Sequence, residues 1–344
     1  MSIDKRNLET IFSLLNSNNI FLDSTIMNDT DFLLKLKYEL MRHDVRQDID
    51  FYFKNLFGER LKKICNKEYL IIPKIILILS NKCTLACKKC SMLIPYFQTS
   101  WEISCKEAIR NVDVFLSGVD EILNLNVIGG EPFLYKNLSI IVKHLISSKK
   151  VKHIAVFTNG TLLPNEETIQ VLQNEKVEVV LSDYGNIVQM ARFVNCIEQN
   201  NISLIIRSDN YWLDFGDTSN RGKNEYVLKK HFSNCMFSGN CKALLGNRLF
   251  ICERAARLYA LNIGYNSKRD FVILSENESN EEVRCAIRQI YSADVADACN
   301  YCDAGIANVN KIIAGEQIND NFTVSKYTIV PRENQTELNN PRKL

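Results

Sequence analysis

From its sequence, the chain is an α/β protein built on a parallel sheet, with a helical segment ahead of it and a cysteine-rich segment behind. Three features predict this. Between residues 71 and 207, five short apolar runs alternate with stretches repeating apolar residues at three- and four-residue steps, the pattern of strands joined by crossover helices. Each glycine-rich or polar motif in that span falls at the carboxyl end of a strand, where α/β sheets bind ligands. Beyond about residue 225 the alternation stops, and six of the twelve cysteines lie between 235 and 302.

The elements follow in order. Residues 1–70 read as helices (LETIFSLLN, DFLLKLKYELMRH, DFYFKNLFGERLKKI) and carry no chemical motif. The first strand is IIPKIILIL (71–79), running into a cysteine loop. A helix is expected from about Cys105 to Gly118, opened by Ser104-x-x-Glu107 as a capping box. The strand LNLNVI (123–128) ends in Gly129-Gly130. A helix over Leu138–Ser147 leads to HIAVF (153–157), ending in Thr158-Asn159-Gly160. The helix Glu166–Gln173 leads to VEVVL (177–181), ending in Ser182-Asp183-Tyr184-Gly185, and a further helix reaches ISLIIR (202–207). The expected units are a helical segment 1–70, a core 71–225, a cysteine-rich domain 226–310 and a polar tail 311–344 that frays at its end.

Composition narrows the function. Of 344 residues, 46% are hydrophobic and 24% charged, an ordinary globular balance. A formal net charge of +2 gives no support for a nucleic-acid surface or a polybasic membrane patch. The first residues, MSIDKRNLETIF, mix charge with apolar residues, unlike a signal peptide. The longest apolar run, Ile71–Leu79, is interrupted by Pro73 and Lys74 and is too short to span a bilayer. The expectation is a soluble, cytoplasmic protein whose cysteines are not a disulfide framework. Cys65, Cys105 and Cys196 stand alone in helix-like stretches and read as small core residues, as does Cys285 in EEVRCAIRQI.

Cys83-Thr-Leu-Ala-Cys87-Lys-Lys-Cys90 places three thiols within eight residues of a loop leaving a strand. Iron–sulfur cubanes take thiolate ligands, whereas structural zinc takes four closed ligands. No histidine or fourth cysteine lies close by in sequence to close a zinc site. Three thiolates on a cubane leave one iron open for a substrate or cofactor.

With this C-x3-C-x2-C spacing the sequence resembles the radical S-adenosylmethionine (radical SAM) superfamily. The resemblance implies a partial (β/α)6 barrel of the TIM type. It also implies a 4Fe-4S cluster on Cys83, Cys87 and Cys90 whose open iron is chelated by S-adenosylmethionine. Reductive cleavage would give a 5′-deoxyadenosyl radical that abstracts hydrogen from a substrate. Gly129-Gly130-Glu131-Pro132 looks like the family's GGEP segment, which contacts the methionine amino group, and Thr158-Asn159-Gly160 like its TNG segment beside the cofactor. Ser182 and Asp183 fall where the fourth strand supplies polar contacts to ribose or substrate, and Arg207 where a basic residue meets the cofactor's carboxylate. One departure is Lys89, since the family usually has an aromatic residue there, near adenine.

Cys235, Cys241, Cys252, Cys299 and Cys302 form a second group. Residues 241–252 read as a hairpin turning at Gly246-Asn247. A hairpin with a cysteine beyond its turn and a distant CxxC resembles the SPASM/twitch extensions of radical SAM enzymes. That implies one auxiliary 4Fe-4S cluster, with Cys235, Cys252, Cys299 and Cys302 favoured and Cys241 as substitute. A zinc site on the same thiolates is the rival.

The Cys252-Glu-Arg-Ala-Ala256 run looks like the carbohydrate-directed branch. The implied substrate is a polar, sugar-like small molecule, undergoing dehydrogenation, epimerisation or deoxygenation. Tyr184 and Asp183 are the candidate catalytic residues, and Tyr211, Trp212, Asp214 and Asp217 candidate pocket residues. A reductant such as flavodoxin or ferredoxin is the implied partner. The alternatives are a peptide-modifying SPASM enzyme and a non-catalytic iron–sulfur or zinc scaffold.

Overall fold

The structure, a computed structural model, describes residues 68–318 except 185–189, 209–210, 239–240, 263–264, 266 and 307–308. The helices expected before residue 68, Cys65, Gly185 and the tail after 318 lie outside the described residues.

The expected alternation forms. Strands β1 (Ile71–Ile78), β2 (Glu121–Ile128), β3 (Ile154–Thr158), β4 (Val177–Ser182) and β5 (Leu204–Arg207) pair in parallel, each with the next. Between them lie helices α1 (Cys105–Ser117), α2 (Leu138–Ser147), α3 (Glu166–Leu172) and α4 (Met190–Gln199). The Ser104 hydroxyl caps α1 by accepting the Glu107 N–H at 3.3 Å. Pro73 fits within β1 because the β1–β2 ladder skips it and the strand on the other side pairs only with Ile76 and Leu77.

That other strand is β7 (Ala243–Leu245), the sixth parallel strand of the sheet. It turns at Gly246, which has φ +58°, into antiparallel β8 (Arg248–Phe250), followed at the edge by β9 (Phe271–Ile273). The sheet order is therefore β5-β4-β3-β2-β1-β7-β8-β9. The hairpin of the cysteine-rich region thus continues the core sheet beside β1. A separate two-stranded ribbon pairs β6 (Tyr211–Leu213) with β10 (Lys311–Ile313).

Both faces of the sheet are covered, as the nearly continuous apolar strands require. Strand periodicity divides β1 between them. Ile75, Leu77 and Leu79 join the core under α1–α4 and α7 (Asn280–Tyr291). Ile76 and Ile78 join a second core under α5 (Glu225–Asn234) and α6 (Glu253–Leu261). Cys285 lies on the exposed side of α7, contrary to the expected core position, because Val283, Ile287 and Ile290 form that helix's buried stripe. Cys105 and Cys196 are half-buried. Among the described residues no helix is long and apolar enough to cross a membrane.

Candidate active site

The carboxyl ends of β1, β2 and β3 meet around the first cysteine loop. Cys83 and Cys87 are buried and Cys90 partly so. Burial pushes all three thiols above the ordinary cysteine range, Cys87 to about 12; Cys90 and Cys87 raise Cys83 further, and Cys90 raises Cys87. Gly130 backs directly onto this loop. A Cβ there would stand 2.4 Å from the Lys82 carbonyl oxygen and 2.6 Å from Cys83 Cβ. The second glycine is thus demanded by close approach of two backbones.

Glu131 is fully buried and ties the strand ends together. Its Oε1 accepts from the Thr158 hydroxyl (2.9 Å) and the Phe133 N–H (3.1 Å), and its Oε2 from the Asn159 N–H (2.8 Å). Its own N–H donates to Lys82 O at 2.7 Å. Burial raises this carboxyl to about 7 against those three donors. Buried Pro132 opens the short 3-10 turn that follows. Asn159 Nδ2 donates to the Thr84 hydroxyl at 3.1 Å and lies 3.6 Å from Cys83 Sγ, while its Oδ1 accepts from Thr161. Gly129 contributes its carbonyl, which accepts from Arg257 Nη2 at 2.9 Å.

Arg257 carries no motif and was not singled out by sequence. It is fully buried, donates also to Ser80 O at 3.2 Å, and pairs with Glu253 one turn back at 3.7 Å. Helix α6 therefore reaches from the cysteine-rich region into the loops after β1 and β2.

Ser182, Asp183 and Tyr184 leave β4, and Ser182 is registered opposite Arg207 of β5. The Arg207 guanidinium stacks over Phe157 at 5.2 Å, and Asp183 accepts the Ser208 hydroxyl at 3.1 Å. Tyr184 is hydrogen-bonded to Ser182, and burial raises its phenol above the ordinary tyrosine range. The β6–β10 ribbon covers it: Trp212 meets its ring edge to face at 5.2 Å, and a Cβ on Gly315 would stand 2.5 Å from Tyr184 Cβ. Lys89 takes a left-handed conformation (φ 57°) and pairs with Asp214, just past β6, at 3.0 Å. Asp217 instead caps its own turn at Ser219.

In the second cysteine group, Cys235 and Cys252 sit at the ends of α5 and α6, Cys299 and Cys302 in and just after the turn Asp297–Tyr301, and Cys241 just ahead of β7. Cys235 ends α5, and Cys252 caps α6 by accepting the Ala255 N–H at 3.4 Å. Burial raises Cys252 and Cys299, and neighbouring thiol charge adds to it, from Cys299 and Cys302 on Cys252 and from Cys302 and Cys235 on Cys299. Cys241 is raised by burial to about 12 and feels Cys235, Lys74 and Glu253. Lys223 Nζ donates to the carbonyls of Cys299 (2.7 Å) and Cys302 (2.9 Å). The buried Asp270 carboxylate accepts the N–H groups of Asp297 (2.8 Å) and Ala298 (2.7 Å), shaping the turn that carries Cys299. Asp270 and Lys223 carry no motif and were invisible in the sequence.

Both groups are all-thiol donor sets, the chemistry that suits iron–sulfur centres. Among the described residues no three or more His, Cys, Asp or Glu side chains gather at metal-ion spacing. A cubane's thiolates each cap a different iron, so they stand wider apart than the ligands of one ion. Gly130 brings Cys83 against the GG loop, which suits a cluster and a ligand sharing that end of the sheet.

Residues 77–182 match the Radical SAM superfamily model, so the chain carries a radical SAM superfamily domain. Over 107 residues it is 28% identical to the antilisterial bacteriocin subtilosin biosynthesis protein AlbA of Bacillus subtilis (strain 168), a match covering 30% of this chain and 22% of that protein. Among solved structures, native anSMEcpe with bound AdoMet and Cp18Cys peptide is 13% identical, with a TM-score of 0.43 over 66% of this chain and 82% of that one. BtrN in complex with AdoMet and 2-DOIA is 14% identical, with a TM-score of 0.43 over 69% and 94%.

Proposed function

We propose, from the radical SAM superfamily domain at residues 77–182, that the chain is an enzyme that cleaves S-adenosylmethionine reductively and abstracts hydrogen from a polar, sugar-like small molecule. The observation that carries this reading is the packing of Cys83 against Gly130 and Asn159 at the sheet's ligand-binding end. Cys83, Cys87 and Cys90 would hold the 4Fe-4S cluster. Gly129, Gly130, Glu131, Pro132, Asn159, Ser182 and Arg207 would form the cofactor's surroundings. When bound, the cluster supplies the electron for homolysis of the sulfonium. Cys235, Cys252, Cys299 and Cys302 would hold an auxiliary 4Fe-4S cluster, with Cys241 beside them. A one-electron donor such as flavodoxin or ferredoxin belongs to the same proposal.

The protein's own part is positioning. Glu131 fixes the loops after β2 and β3 relative to each other, and Arg257 holds the loops after β1 and β2 from the opposite side. The β6–β10 ribbon packs Trp212 against Tyr184 and holds it in place. Asp183, whose carboxylate is already oriented by Ser208, would take the hydroxyl proton in a dehydrogenation, in which the hydrogen atom would go to the deoxyadenosyl radical and the remaining electron to the auxiliary cluster. Tyr184, held between Trp212 and Gly315, would contact the reacting carbon. Trp212 on Tyr184 and the Lys89–Asp214 pair set an aromatic ring and charged groups beside the cysteine loop, which supports a polar substrate.

The similarity to AlbA supports a second reading, modification of a peptide. The two separate in one assay of substrate-stimulated 5′-deoxyadenosine formation. Stimulation by amino sugars or aminocyclitols, and not by peptides, is expected; stimulation by peptides alone would favour the second reading.

A further inference from the structure

The segment after β10 crosses the cysteine loop, and its contacts are unusually specific. Gly315–Ile318 runs antiparallel to Ala86–Lys88, with Gln317 bridged to Cys87. Lys88 N donates to Glu316 O at 2.6 Å, and Ile318 N to Ala86 O at 2.9 Å. Gln317 Oε1 accepts the Ala86 N–H at 2.9 Å, which fixes the amide's orientation, since only its oxygen can face a donor. Its Nε2 therefore points the other way, donating to Cys87 Sγ at 3.1 Å and to Gly315 O at 2.6 Å.

Charge pairs reinforce the crossing. Both lysines between Cys87 and Cys90 are engaged by the ribbon and its continuation, Lys88 by Glu316 at 2.6 Å and Lys89 by Asp214 at 3.0 Å. The ribbon also pins Tyr184 between Trp212 and Gly315. At its other end it follows closely on Cys302, and Arg221, paired with Asp303 at 2.9 Å, joins the β6 side to the turn after the CxxC.

We infer that residues 311–318 are a strap that completes the first metal site, with Gln317 as a positioning residue for Cys87. This rests on the reading of Cys83, Cys87 and Cys90 as cluster ligands. The Gln317 amide holds the Cys87 sulfur in place and donates to it. A donor to a ligating sulfur favours the more negative, reduced cluster and raises its reduction potential. The strap also places the loop that carries the first site under the control of the region that carries the second.

The test uses full-length protein, wild type and Q317L. With cluster loaded, the potential of the S-adenosylmethionine-responsive centre is measured by redox titration followed by electron paramagnetic resonance. With cluster removed, alkylation of Cys87 by iodoacetamide is timed by peptide mass spectrometry against Cys83. In Q317L the potential falls by a tenfold shift in the oxidised-to-reduced ratio, about 59 mV for one electron, and Cys87 is alkylated several-fold faster while Cys83 is unchanged. Equal potentials and equal Cys87 rates in the two proteins would overturn the strap. A wild type that takes no S-adenosylmethionine-responsive cluster would overturn the ligand reading instead, and the alkylation rates would still decide whether Gln317 covers Cys87.

Discussion

The Glu131 carboxylate accepts the backbone N–H of Asn159 at 2.8 Å, so the loop after β2 and the loop after β3 share one buried acceptor. Replacement by glutamine turns one of two accepting oxygens into a donor facing a donor. E131Q should lose about 1–3 kcal/mol of stability, measured by urea unfolding.

The same residue sets a pH dependence. Burial raises Glu131 from 4.5 to about 7, so the native state keeps a proton that the unfolded chain releases. Its contribution is fully present below about pH 4.5 and is lost as pH rises toward and through about 7. Unfolding free energies across that window should show this fall in wild type, and E131Q should lack it.

Gly130→Ala tests the contact between β2 and the cysteine loop. The new methyl would meet the Lys82 carbonyl oxygen at 2.4 Å and Cys83 Cβ at 2.6 Å, and both belong to the loop itself. Destabilisation of roughly 1–3 kcal/mol is expected. Iron analysis should show the loss confined to the first cluster.

Much of this was legible from the chain. Strands β1 to β4 announced themselves because each is buried along most of its length and reads as an apolar run, and the motifs followed because ligand sites lie where such strands end. Long-range pairing was not legible. Nothing local in ALL (243–245) says that it lies beside β1, and Tyr211–Leu213 and Lys311–Ile313 pair across almost a hundred residues. Arg257 and Asp270 carry no motif, and sequence does not show which carbonyls or N–H groups will be left buried around them. Gln317 sat in a polar stretch that composition marks only as tail.

Arg257→Leu should be among the most damaging single changes away from the cysteines. It strands the Ser80 and Gly129 carbonyls and leaves Glu253 without its cation. A loss of about 3–5 kcal/mol is expected. R257K should recover only part of it, because one ammonium does not reproduce the two-pronged guanidinium. Denaturant midpoints for the three proteins check the order.

Asp270→Asn separates the two proposed metal sites. It disturbs the acceptor for the Asp297 and Ala298 N–H groups, and with it the turn that carries Cys299. Auxiliary iron, about four per chain, should fall while the S-adenosylmethionine-responsive cluster stays.

Whether Cys83, Cys87 and Cys90 form an S-adenosylmethionine-cleaving centre is decided by anaerobic reconstitution. Iron per chain and 5′-deoxyadenosine are measured after adding dithionite and S-adenosylmethionine. The expected result is about eight irons per chain and deoxyadenosine in wild type, against about four irons and no deoxyadenosine in a folded C83A/C87A/C90A variant. A loaded wild type that makes no deoxyadenosine, or one that takes up zinc in place of iron, would contradict the account.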